Sequence, residues 1–177
     1  MNRNARTRWG FMAAVVALIG LAAWAAPIVP ERRELAAQTQ SLAQLKRLNL
    51  VVRELPPEMR DAGMTAERIE EIWRPRLTDA GFELTDDENA PMLELRTIVI
   101  LESTVPDAIA INPYMLLHQN VKLNRTGADL TLPTYARVMV GMEKKQNIVE
   151  PTEAALRELL ETFLREFQAA NKTAEQE

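Results

Sequence analysis

The sequence predicts an α+β fold: a four- or five-stranded, mostly antiparallel sheet with two helices packed on one face, in the order β-α-β-β-β-β-α. Three observations predict it. Apolar residues alternate with period two over residues 48–53, 92–101, 108–123 and 135–140. Helical periodicity is concentrated in two stretches, residues 65–80 and 151–167. Only one of these falls between the first strand and the rest, so the remaining strands follow one another and pair as hairpins before the last helix closes the chain.

The chain opens on Trp9 to Ala26, a run without charge, preceded by Arg3, Arg6 and Arg8 with no acid before Glu31. A basic start, an apolar stretch from Phe11 to Leu21 and small residues at Ala23 and Ala25 form a secretory signal, with cleavage expected between Ala25 and Ala26. The alternative is an uncleaved anchor, since the run reaches the lower edge of the roughly 17 to 25 residues that span a bilayer. Either way the arginines keep the N-terminus inside and the domain outside. The expected location is therefore the periplasm or cell envelope, or else the inner membrane with the domain facing out. The sequence divides into a signal peptide or anchor (1–25), a linker or short amphipathic helix (26–47), one α+β domain (48–170) and a polar tail (171–177).

The 177 residues include no cysteine. This removes disulfides, thiolate nucleophiles, zinc-thiolate sites and the lipid-modified cysteine of a bacterial lipoprotein. Loss of the three leader arginines moves the formal charge from −4 to −7. An acidic domain without a basic cluster is a poor partner for nucleic acid, and none is expected.

Each element has its own signal. Glu31 to Arg47 spaces Leu35, Leu42 and Leu45 on one narrow helical stripe, which suits either a short helix or a linker. Leu48, Leu50 and Val52 share one face of a first strand that ends at Pro56-Pro57. Thr65 is placed to cap a helix whose stripe is Ile69, Ile72, Trp73 and Leu77, and Gly81 to end it. Pro75 inside that helix removes one backbone hydrogen bond, and a bend is the expected result. Phe82 to Leu84 reads as a brief strand, and Asp86 to Asn89 as a solvated turn. In the next strand Leu93, Leu95, Thr97, Val99 and Leu101 share a face; the other begins polar with Glu94 and Arg96 and becomes apolar at Ile98 and Ile100. Ala108 to Leu123 is strand again, with a break, bulge or edge expected at Asn112-Pro113. There Met115, Leu117 and Val121 oppose Tyr114, Leu116, His118, Asn120 and Lys122. After a turn at Gly127 the return strand is expected to carry Ala136, Val138 and Val140 inward, with Tyr135, Arg137 and Met139 outward. The last helix repeats Leu156, Leu159, Leu160, Phe163, Leu164 and Phe167 along one ridge, with Glu153–Arg157 and Glu161–Arg165 as expected surface pairs.

The chemistry-bearing residues are few. His118 is the only histidine, and it lies on the polar side of its strand. Ser41 and Ser103 are the only serines, and neither sits in a nucleophile-elbow pattern. No glycine-rich phosphate loop occurs, and no catalytic residue, metal ligand or cofactor is assigned. The candidate binding residues are Glu94, Arg96, His118, Lys122 and Arg137, expected together on the polar sheet face.

Leu50-Val51-Val52-Arg53-Glu54-Leu55-Pro56, Met64-Thr65-Ala66-Glu67-Arg68-Ile69, Ala80-Gly81-Phe82 and Leu159-Leu160-Glu161-Thr162-Phe163-Leu164 resemble segments of a group of uncharacterised exported bacterial proteins with a small α+β domain. More loosely, the layout is similar to that of envelope-assembly lipoproteins such as the plug subunit of the lipopolysaccharide transporter, without their lipidated cysteine. Two expectations follow. The first is a non-catalytic exported interaction or assembly domain whose partner is another envelope protein, touching membrane only through an uncleaved leader. The second is a small exported hydrolase or ligand-binding protein that uses the polar sheet face.

Overall fold

The computed structural model describes residues 35–101, 104 and 107–175; the leader with its Ala25–Ala26 junction, and Ser103, lie outside them. The strands are β1 (Arg47–Val52), β2 (Glu83–Leu84), β3 (Met92–Leu101), β4 (Ala108–Lys122), β5 (Asp129–Val138) and β6 (Gly141–Lys144). They form one sheet in the order β2-β1-β3-β4-β5, with β6 continuing beside β4 where β5 stops. Pairing is parallel between β1 and β2 and between β1 and β3, and antiparallel elsewhere. The helices are α1 (Ala37–Gln40), α2 (Pro57–Asp61), α3 (Ala66–Asp79) and α4 (Val149–Ala174). The α+β class and the two long helices are as expected. The sheet has one strand more than the sequence suggested; α1 falls in the stretch read as a linker or short helix, and the single-turn α2 is added.

The local signals act as their chemistry dictates. Thr65 accepts the Arg68 N–H at 3.2 Å and so caps α3. Gly81, at φ +93°, ends the helix in the left-handed conformation that glycine adopts freely, and the Phe82 N–H closes the turn on the Leu77 carbonyl at 3.1 Å. β1 ends at Val52, before the two prolines, and Pro57 starts α2, because a proline at the first helical position gives up an N–H that would have no partner there. The segment before β1 belongs to the fold: Leu42 is fully buried, and Gln44, at φ +61°, donates its N–H to the Asn171 side chain at 2.9 Å. That contact lies on the last turns of α4, which runs on to Ala174 past the expected start of a polar tail.

Two expectations about the strands are corrected. Pro113 does not interrupt β4, which is continuous over 15 residues. Pairing with β3 turns the missing N–H of Pro113 toward the opposite neighbour, where β5 ends at Val138 and β6 begins at Gly141; there Met139 donates to the Pro113 carbonyl at 2.9 Å. The proline thus sits where no N–H is required. The faces of β5 are also reversed. Tyr135 pairs with Leu117 and Arg137 with Met115, so both point toward the helices, while Ala136 and Val138 point away. A one-residue irregularity opposite Leu117/His118, at Thr134, restores the alternation, and Leu130 and Leu132 again share the helix side. Tyr135 is buried because a large ring displaces more water than Ala136 or Val138 would, and its neighbour Arg137 finds a counter-ion on α4.

One core lies between the helices and the sheet face formed by Leu48, Leu50, Leu93, Leu95, Ile109, Ile111, Met115, Leu117 and Tyr135. α3 contributes Ile69, Trp73 and Leu77, and α4 contributes Leu156, Leu159, Leu160 and Phe163. Phe163 sits at its centre, with ring centroids 5.8 Å from Phe82 and 5.7 Å from Tyr135. Arg68 on α3 and Glu153 on α4 tie the two helices at 2.6 Å. Glu153 also meets Arg157 at 3.5 Å as expected, whereas Glu161 turns to Arg76 of α3 and Arg165 to Thr162. Phe163→Ala should destabilise the fold by about 3–5 kcal/mol, read as a lower urea midpoint at unchanged slope. A loss below about 1 kcal/mol would show that the ridge of α4 is not the centre of the core.

Candidate functional site

The face of the sheet turned away from α3 and α4 is built from the alternate residues of the same strands. Asn49, Val51 and Arg53 follow one another from β1 onto that side, and the parallel register with β3 sets Val51 beside Glu94. Across the antiparallel register, Met92 faces His118, Glu94 faces Leu116, Arg96 faces Tyr114 and Ile98 faces Asn112. The two ends of this face differ in chemistry.

At the β1 end, Glu94 is only 1% exposed, although no helix among the described residues covers it. Arg53 grips it with both ends of its guanidinium, at 3.2 and 3.3 Å, and Arg96 hydrogen-bonds it through Nε. His118 Nε2 comes within 3.3 Å of Oε2 without the alignment of a hydrogen bond. Burial pushes the Glu94 carboxyl up; the hydrogen bonds and charges of Arg53 and Arg96 together outweigh it, and the carboxyl is held below the usual glutamate range. Its hydrogen bond and charge in turn raise Arg96 above its ordinary value, with a smaller contribution from Tyr114. A carboxylate held ionised by two guanidinium groups is a weak proton acceptor and no proton donor near neutral pH. What it does well is join β1 to β3, with His118 of β4 standing alongside. Beyond His118 the face sinks into a depression of about 130 Å³ bordered by Asn49, Asn89, Met92, Asn120 and Thr131, where the Thr131 hydroxyl donates to Asn120 at 2.7 Å.

The opposite end is apolar and open. Ile98 is 46% exposed, Ile100 58%, Val138 60% and Met142 77%. Register places Ile100 and Met142 on either side of Ala110, and Val138 beside Tyr114. On the helix side, a separate apolar cleft of about 120 Å³ opens between the first turn of α4 and the β5–β6 joint, lined by Ile111, Pro113, Met139 and Pro151 among others.

Of the five candidate residues, the structure brings together Glu94, Arg96 and His118. Lys122 shares their face but stands opposite Asp129, four residues and roughly 13 Å farther along β4. Arg137 is on the other face. It donates to both carboxylate oxygens of Glu166 at 2.6 and 2.7 Å and lies over the Tyr135 ring at 4.8 Å, and the Glu166 hydrogen bond is the main cause that raises its pKa. Arg53 is the member of the cluster not named from sequence. Period-two alternation from Asn49 gave its face, but only the parallel β1–β3 register reveals its partner. Among the described residues, no group of three or more acidic or histidine side chains is arranged to hold a metal ion.

The folded pKa of Glu94 lies below its unfolded value, so the stability it supplies is complete above the ordinary glutamate value of 4.5 and is lost as pH falls through the folded value. Glu94→Gln is expected to cost about 1–3 kcal/mol at pH 7, with the gap to wild type narrowing below pH 4.5 in urea titrations run from pH 7 to 3. A gap that stays constant over that range would mean the carboxylate charge is not what holds the cluster.

No protein-family model and no curated protein matches the chain. Among solved structures it is similar to a minor lipoprotein from Acinetobacter baumannii, at 16% identity and TM-score 0.35, covering 72% of this chain and 93% of that one. It is also similar to the rare lipoprotein B from Shewanella oneidensis, at 16% identity and TM-score 0.30, covering 71% and 88%. An uncharacterized lipoprotein B from Nitrosomonas europaea follows at 14% identity and TM-score 0.27, covering 77% and 84%. Similarity at this level leaves the role to be argued from the residues of the chain itself. Among the described residues, no helix is long and apolar enough to cross a membrane.

Proposed function

We propose that the chain is a non-catalytic interaction or assembly domain of the bacterial cell envelope, exported by its N-terminal leader, and that it binds another envelope protein through the apolar end of the open sheet face. The observation that carries this reading is the juxtaposition of Ile98, Ile100, Val138 and Met142 on a face that no described element covers. Contiguous exposed apolar side chains beside a charged rim are the usual mark of a protein contact surface. The Glu94 cluster supports the same reading, since its lone pairs are already engaged by protein donors. The leader, with its basic start and uncharged run, supports the location.

A second reading keeps the polar end as a ligand site, favoured by the depression that His118 borders. It requires that a bound small molecule raise the melting temperature and that His118→Ala remove the effect while leaving the free protein folded.

The first reading is tested by crosslinking the chain in its host envelope. Val138→Asp with Met142→Asp should reduce recovery of the partner at least ten-fold, because two charges then enter an apolar contact. Arg137→Ala, which alters only the helix side, should leave recovery unchanged. Equal recovery from the double variant, or no specific partner at all, overturns the assignment.

A further inference from the structure

β3 is paired along its whole length on one side only. The Asn49 and Arg53 N–H groups reach the carbonyls of Pro91 and Leu95, both at 2.9 Å, so the odd-numbered residues of β3 turn their backbone groups toward β1 and the even-numbered ones toward β4. The β1 register stops at Val52 opposite Leu95. From there Thr97, Val99 and Leu101 present their N–H and C=O groups at an edge that no strand among the described residues occupies. Natural edges of this kind are guarded by a charge, a proline or a bulge. This one has none: Thr97, Ile98, Val99, Ile100 and Leu101 are uncharged, four of them aliphatic, and all lie in regular strand.

We infer that this edge pairs with the same edge of a second copy of the chain, antiparallel about a two-fold axis at Val99. Two features of the edge fit itself as occupant. An antiparallel register centred on Val99 sets Val99 against Val99 and Thr97 against Leu101, so the residues whose backbone groups face outward meet their own kind and every exposed N–H finds a C=O. The same register sets Ile98 of one copy against Ile100 of the other, twice, on the open face, where aliphatic cross-strand pairs stabilise a sheet. Five residues span roughly 17 Å of edge. A contact of that length falls below the roughly 800 Å² per partner of a standard interface, so the dimer is a weak one that forms at high protein concentration. This pairing uses the edge of the sheet and leaves Val138 and Met142 free for the partner proposed above.

The experiment is sedimentation equilibrium of the full chain in density-matched detergent. All variants keep the leader, so any association it drives appears equally in each. The wild type should show a reversible monomer–dimer equilibrium. Ile98→Lys with Ile100→Lys places lysine opposite lysine and should weaken it at least ten-fold. Ile98→Lys with Ile100→Glu places lysine opposite glutamate and should restore it to within about three-fold of wild type. Both positions are exposed on the open face, and circular dichroism checks that the variants fold. A wild type that stays monomeric at the highest concentration reached, or a dimer indifferent to the two charge patterns, overturns the inference. Neither result bears on partner recovery, which is read with the Val138 and Met142 variants, so the two proposals fail separately.

Discussion

A sheet with one covered face must place its entire apolar core on that side, and here no disulfide assists. The whole of the folding stability therefore passes through the layer between the sheet and the helices α3 and α4. Phe163 concentrates the requirement, because it touches Phe82 from the β2 connection and Tyr135 from the far side of the sheet. An element that buries side chains against this layer is held in place, and what lies on the other side is available for something else. That division explains why Leu42 and Met59, on segments with little regular structure, are fully buried, while Ile98, inside a regular strand, is not.

The open side is not left loose. Glu94 takes the place that an apolar residue would hold in a two-sided sheet, and its burial is tolerated because Arg53 and Arg96 supply both charge and donors. The arrangement suits a surface that must stay wet. The two guanidinium groups pair with the buried carboxylate while their own side chains stay about half exposed. Such a cluster ties β1 to β3, so one end of the face is rigid and polar while the other offers apolar side chains.

Much of this was legible in the sequence, and the exceptions have physical causes. The cap at Thr65, the stop at Gly81 and the ridge of α4 follow from local chemistry that tertiary context did not override. The faces of β3 and β4 followed from alternation, because each has one large, consistent apolar set. β5 did not, since Ala136 and Val138 look as apolar as a core face requires, while Tyr135 and Arg137 carry polar ends that only a partner on α4 could satisfy. Arg137 was accordingly placed with the wrong neighbours. The Glu94 cluster was half legible: Arg96 and His118 are near it by strand alternation, but Arg53 depends on a parallel pairing between strands forty residues apart, which no local pattern encodes. Pro113 misled for the opposite reason. Proline in a central strand argues for a break, and here the break is in the neighbour.

That displaced break has a consequence for where the chain tolerates a change of length. Because Pro113 offers no N–H, the link at Met139 and Val140 is held to β4 by the Met139 N–H on the Pro113 carbonyl, while β5 and β6 are each aligned to β4 by their own ladders. A residue gained or lost at that link would be absorbed locally, without sliding either strand. The β3–β4 ladder, continuous from Met92 to Leu101, has no such slack.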